Sequence, residues 1–167
     1  MKLTKEQIQD QLKKWRLELD GYSSKVSVGY STSGIQSALE NLEKLSAYSA
    51  RLDEIRSQFY SIDASLKAKL FEERSKLKDA VGQVRLTNIR KWVACGYSSE
   101  ERGLSASSDV SVLDLKISVR SLELLMFFTD SFRIILDGKI ISLSKSKFDC
   151  KVVKDILEMG IKLGELK

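Results

Sequence analysis

A chain of 167 residues with 43% hydrophobic content supplies one core of ordinary size but hardly two, so a single folding unit is the expectation. Histidine is absent, which removes imidazole acid–base pairs, Ser-His and Cys-His nucleophiles and every imidazole-based zinc site. The net charge of +5 favours an anionic partner without naming one, and residues 64–102 carry most of the excess, with nine Lys/Arg against five Asp/Glu.

Proline is also absent, which removes the commonest helix breaker, and a 31% charged fraction suits long solvated helices. In chain order, Thr4 with Gln7 three residues later forms a capping-box spacing, and Ile8, Leu12, Trp15 and Leu19 follow at helical intervals. This predicts a first helix over 5–19, stopped at Asp20-Gly21, with 21–34 a Ser/Gly/Tyr-rich loop or short strand, read as loop. From Ile35 an apolar stripe runs through Leu42, Leu45, Leu52, Ile55, Phe59, Leu66, Leu70, Leu77 and Val84. One helix over 35–94, about 90 Å long, is predicted. Its stripe needs a partner, either the rest of the chain or other copies. Gly96 suits the position after its C-cap. A polar connection follows, and Ser108 or Asp109 caps a helix over 109–137 that is apolar nearly all round from Val112 to Leu136 and is read as the most buried element, with Phe128 in a core. Gly138 is expected to break it before a last helix over 149–163. The fold class is therefore all-α: a long helical hairpin or bundle with a sustained apolar stripe, assembling into a homo-oligomer.

Cys95 and Cys150 lie far apart with no CxxC spacing and read as reduced thiols. No apolar run approaches bilayer length and the N-terminus has no hydrophobic signal region, so a cytoplasmic protein without membrane contact is expected. Paired carboxylates, a nucleotide-binding loop and a Walker motif are all missing, so neither an enzyme nor a cofactor or metal site is expected.

The informative constellation lies on the long helix. At 100° per residue, Lys67, Arg74, Lys78 and Arg85 fall within about 40° of one another, with Phe71 and Trp92 flanking the same line. The row covers roughly 27 Å along the axis. Phosphates can track such a row while unpaired bases stack on the aromatic rings. Lys69 and Lys76 mark the opposite flank of the apolar stripe. Basic residues beside a stripe also serve ordinary bundles as seam cover and ion-pair partners, and Trp92 also suits an interface anchor. A second cluster, Lys139, Lys145, Lys147, Lys151 and Lys154, reads equally as a solvated face.

Two segments resemble the UvsY-like recombination mediators of T4-type bacteriophages. Leu66-Lys67-Ala68-Lys69-Leu70-Phe71 is similar to the basic Leu-Lys-Ala-basic-Leu segment that the family uses for single-stranded DNA, and the run from Ser108-Asp109-Val110-Ser111-Val112-Leu113, with Leu125, Phe128 and Lys139 in register, resembles its C-terminal helix. Together they cover roughly a quarter of the chain, which departs from the family in a longer N-terminal half and in lacking the Gly-rich turn after the basic segment. The resemblance implies a ring-like homo-oligomer that binds single-stranded DNA through Lys67 and Lys69, displaces or remodels single-strand-binding protein and helps load a RecA-like recombinase, in the host cytoplasm if phage-encoded. Arg74, Lys78, Arg85 and Trp92 join that site through helical geometry alone. The alternative is a coiled-coil assembly or adaptor protein that binds a protein partner and no nucleic acid, through the apolar stripe or the Met126–Phe132 region.

Overall fold

A computed structural model describes residues 4–25 and 35–163 of the chain, every element of which is helical. The order is α1 (Lys5–Lys25), α2 (Ile35–Ala94), α3 (Ser99–Ser107), a 3-10 turn (Val110–Val112) and α4 (Leu113–Lys162). Among the described residues there is no strand, and no helix is long and apolar enough to cross a membrane. The chain is all-α. It packs as two compact units.

The first unit comprises α1, α2 up to Ser61 and α4 from Thr129, a three-helix arrangement. The capping box at its start is made in full: Thr4 N donates to Gln7 Oε1 at 2.8 Å and Gln7 N to Thr4 Oγ1 at 3.2 Å. Each helix contributes one apolar stripe: Ile8, Leu12, Trp15 and Leu19 from α1, Leu45, Leu52, Ile55 and Phe59 from α2, and Phe132, Leu136, Leu143 and Cys150 from α4 are buried. Phe132 stands between two rings, 5.9 Å from Trp15 and 5.2 Å from Phe59 by centroid. At its edge Arg51 grips Glu18 through Nε at 2.8 Å and Nη2 at 3.1 Å and reaches Glu54 as well, so its guanidinium is held charged.

The second unit, Ile62–Phe128, pairs the second half of α2 with the start of α4 through α3. Its core is thin: Leu66, Ala106, Val112, Val119, Leu122 and Leu125 are buried, while Leu70, Leu77, Val81 and Val84 are only half-buried. α2 closes with Gly96 at φ +77°, Tyr97 N donating to Trp92 O at 2.9 Å and Gly96 N to Val93 O at 3.0 Å. Those two bonds satisfy carbonyls that the last turn leaves open, and the left-handed φ explains why glycine stands there.

Three boundaries differ from the sequence expectation. Asp20-Gly21 does not end α1, which continues to Lys25, and Gly138 does not break α4, which runs unbroken for 50 residues from Leu113 to Lys162 and so joins the helices expected over 109–137 and 149–163, the first of them starting as a 3-10 turn. A glycine lowers helix preference by only about 1 kcal/mol against alanine. Burial of Phe132, Leu136, Leu143 and Cys150 keeps one phase across Gly138 and outweighs that loss. The third difference is α3, which occupies the expected polar connection. Ser98 is its N-cap, accepting from Glu101 N at 3.2 Å while Ser98 N donates to Glu101 Oε2 at 2.7 Å. Of the two expected caps, Asp109 is the one used, at the 3-10 turn that leads into α4, accepting from Ser111 N at 2.9 Å and Ser111 Oγ at 2.6 Å. Of the expected 21–34 loop, 21–25 belong to α1 and 26–34 lie outside the described residues.

Candidate nucleic-acid interface

Because α2 is unbroken, Lys67, Arg74, Lys78 and Arg85 do share one line along it, and all four are exposed. Phe71 stands beside that line and is 78% exposed, although it is a large apolar ring that folding would ordinarily cover. Lys69 is exposed on the other flank of the stripe, and Trp92 is half-buried in the last turn of α2.

The electrostatics are less one-sided than the row suggests. Lys67 Nζ lies 2.8 Å from Oδ2 of Asp63, a buried carboxylate one turn earlier. Arg74 reaches across the unit to Glu123 Oε1 on α4, with Nη2 at 2.7 Å and Nε at 3.3 Å. Arg85 donates through Nη2 to Ser99 Oγ at 3.1 Å. Lys78 and Arg85 form no salt bridge among the described residues. Two of the row's four charges are thus locally balanced and two are not. Exposed ion pairs of this sort contribute about 0–1 kcal/mol, so an incoming phosphate can replace the Glu123 carboxylate at Arg74. Lys67 is held more firmly, since its partner Asp63 is itself buried.

On the far flank Lys76 bonds Glu72 at 2.6 Å and Glu73 at 3.1 Å, which raises its pKa, Glu72 being the larger cause. The same contact, helped by a hydrogen bond with Ser118 of α4, holds the Glu73 carboxyl below its ordinary range. That side of α2 is therefore internally neutralised, and Lys69 is its one lysine outside these contacts with Glu72.

Sequence reasoning missed the acids. Asp63 was legible as the i−4 partner of Lys67. Glu123 was not, because it lies 49 residues from Arg74 and meets it only when α4 returns alongside α2. The row's unit also carries an apolar surface, of which the sequence reading named only the Met126–Phe132 part: Leu113, Ile117, Leu124, Phe127 and Phe128 of α4 are all at least half-exposed. Phe128, expected in a core, is 52% exposed, because a two-helix pairing covers only one stripe of α4 and the all-round apolar character has nothing to meet. Among the described residues no cluster of Cys, Asp and Glu is placed to hold a metal ion. No family model, curated protein or solved structure matches the chain.

Proposed function

We propose that this protein binds single-stranded DNA along the Lys67, Arg74, Lys78 and Arg85 line of α2, with Lys69 nearby and Phe71 and Trp92 as stacking surfaces, and that it works as a recombination mediator. In that role it acts as a homo-oligomer that helps load a RecA-like recombinase onto DNA covered by single-strand-binding protein. The observation that carries the DNA-binding part is the exposed basic line with an exposed phenylalanine beside it: phosphate neutralisation and base stacking are the two parts of single-strand recognition, and both are present on one helix face. A duplex offers no unpaired base to Phe71 without opening. The recombinase and the single-strand-binding protein follow from the family resemblance of residues 66–71 and 108–139.

The test is a fluorescence titration with labelled single-stranded and duplex DNA at two salt concentrations. Binding that favours single strands, weakens with salt and is lost in the Lys67→Ala, Lys69→Ala double variant supports the reading. Equal affinity of that variant for single strands at low salt sinks it.

A second reading has its own observation. The exposed Leu124, Phe127 and Phe128 suit an adaptor that captures a protein partner through an apolar helix face. Such a contact responds little to salt, so the same titration, run with a candidate protein in place of DNA, separates the two.

A further inference from the structure

The three-helix unit uses only one side of α4. Phe132, Leu136, Leu143 and Cys150 turn inward and are buried, whereas Ile134 (76% exposed), Ile141 (70%), Phe148 (67%), Val152 (39%), Ile156 (62%) and Met159 (62%) occupy the opposite side. At 100° per residue those six fall within an arc of about 80°, and they extend over roughly 38 Å of helix. Taking about 200 Å² for a large side chain in full solvent, they leave on the order of 700 Å² of apolar surface in water. That exceeds the ~300–600 Å² of the largest patch on a typical monomer. It approaches the ~800 Å² that each partner gives to a standard specific interface.

We propose that this outer face of α4 is the contact between two copies of the chain, which pair their α4 helices antiparallel. The proposal rests on the assembly part of the functional reading and not on its DNA-binding part. Three features select this occupant. The area matches what a stable pair requires. The spacing, at steps of seven, seven, four, four and three, is that of a seam that interlocks with another helix of the same kind. Residues 137–158 carry five lysines against four acids, a near-neutral surround that suits a protein contact better than an anionic lipid surface, which selects a polybasic one.

Lys145 decides the direction. It is exposed and lies on the seam itself. A parallel pair would bring the two Lys145 ammoniums together. An antiparallel pair centred between Ile141 and Val152 stacks Ile134 on Met159 and Ile141 on Val152 of the second copy, and sets Lys145 beside Phe148 and Asp149 of that copy. The seam then closes with its charges matched, and the basic line of α2 takes no part in it.

Light scattering on the full chain at micromolar concentration tests this. The expected mass is a multiple of 18.9 kDa. Ile141→Glu with Phe148→Glu should lower it to one chain while the helical circular dichroism stays intact, since both side chains are exposed. Lys145→Glu should weaken association about tenfold, and adding Asp149→Lys should restore it. A parent mass of one chain overturns the proposal, and flotation of that monomer with phosphatidylserine vesicles would assign the face to lipid instead. A double Glu variant that stays assembled overturns the choice of face, and a charge swap that fails to restore association overturns the antiparallel pairing. If the parent assembles but binds no single-stranded DNA, the nucleic-acid reading alone fails; if it binds single strands as a monomer, the interface and the assembly part of the functional reading fail together while DNA binding stands.

Discussion

The two units differ in what they bury, and the difference shows where function has room. In the three-helix unit each helix faces two others, so Trp15, Leu19, Leu45, Ile55, Phe59 and Leu136 are almost wholly covered and aromatic rings meet at its centre. In the hairpin unit each long helix has one principal neighbour, so a single stripe is covered, no aromatic side chain is buried, and polar contacts such as Arg74 with Glu123 hold the rims. The first unit is built for stability. The second leaves its charges and its rings in water, where a ligand can reach them.

The sharpest way to break this comparison is to delete one phenylalanine from each unit. Phe59→Ala, at a fully buried ring, should cost about 3–5 kcal/mol, read by urea denaturation, whereas Phe128→Ala should lose well under that. Equal losses would mean that Phe128 is covered in solution, by a second copy or by a partner.

Ligand binding should show the next largest effect, confined to the hairpin unit. Trp92→Ala should weaken single-stranded DNA binding by roughly 1–3 kcal/mol with little change in its salt dependence. Removing one phosphate-contacting lysine should instead lower the magnitude of the salt slope by about 0.7. A Trp92 variant with unaltered affinity would reduce that residue to its structural place in the last turn of α2.

Glycine gives a smaller test of the thin unit. A Cβ at Gly82, inside the last quarter of α2, meets nothing within 4 Å. Gly82→Ala should therefore stabilise the protein by about 0.5–1 kcal/mol in thermal unfolding. Destabilisation would place another chain against that side of the helix.

The smallest expected effect is the pH response of the connection. The backbone N–H and side chain of Ser98 hold the Glu101 carboxyl below its ordinary range, and the Ser111 hydroxyl and backbone N–H do the same for Asp109. Depressed folded-state values mean that both contributions are complete above the ordinary carboxylate range and disappear as pH falls through the lowered values. Protection of the α3 amides, taken relative to their intrinsic exchange rates at each pH, should fall on acidification into that range and stay level between neutrality and its upper edge. A fall in protection beginning near neutrality would point to a different cause.

Much of the architecture could be read from residue order. Helical periodicity and the absence of proline predict α2 over 35–94, and Thr4 with Gln7 marks the start of α1, because helix formation and capping depend on neighbours within four residues. The capping-box spacing of Ser98 and Glu101 was also there to be read, although short polar segments rarely invite a helix assignment. The basic line was legible for the same reason: once the helix is unbroken, its angular positions follow from arithmetic.

What tertiary structure alone decided was which faces are covered. Periodicity shows that Leu125 and Phe128 are apolar, but only the return of α4 beside α2 buries the first and leaves the second half-exposed. Local preference also places a stop at Gly138, and packing on both sides of it removes the stop. Arg74 and Glu123 become partners for the same reason, since their separation of 49 residues closes only when the hairpin forms. The sequence by itself determined helix existence, phase and the alignment of like charges, all set by interactions within a turn; burial, helix continuity through glycine and the pairing of charges across helices were decided by long-range contacts, whose energies exceed the local preferences they override.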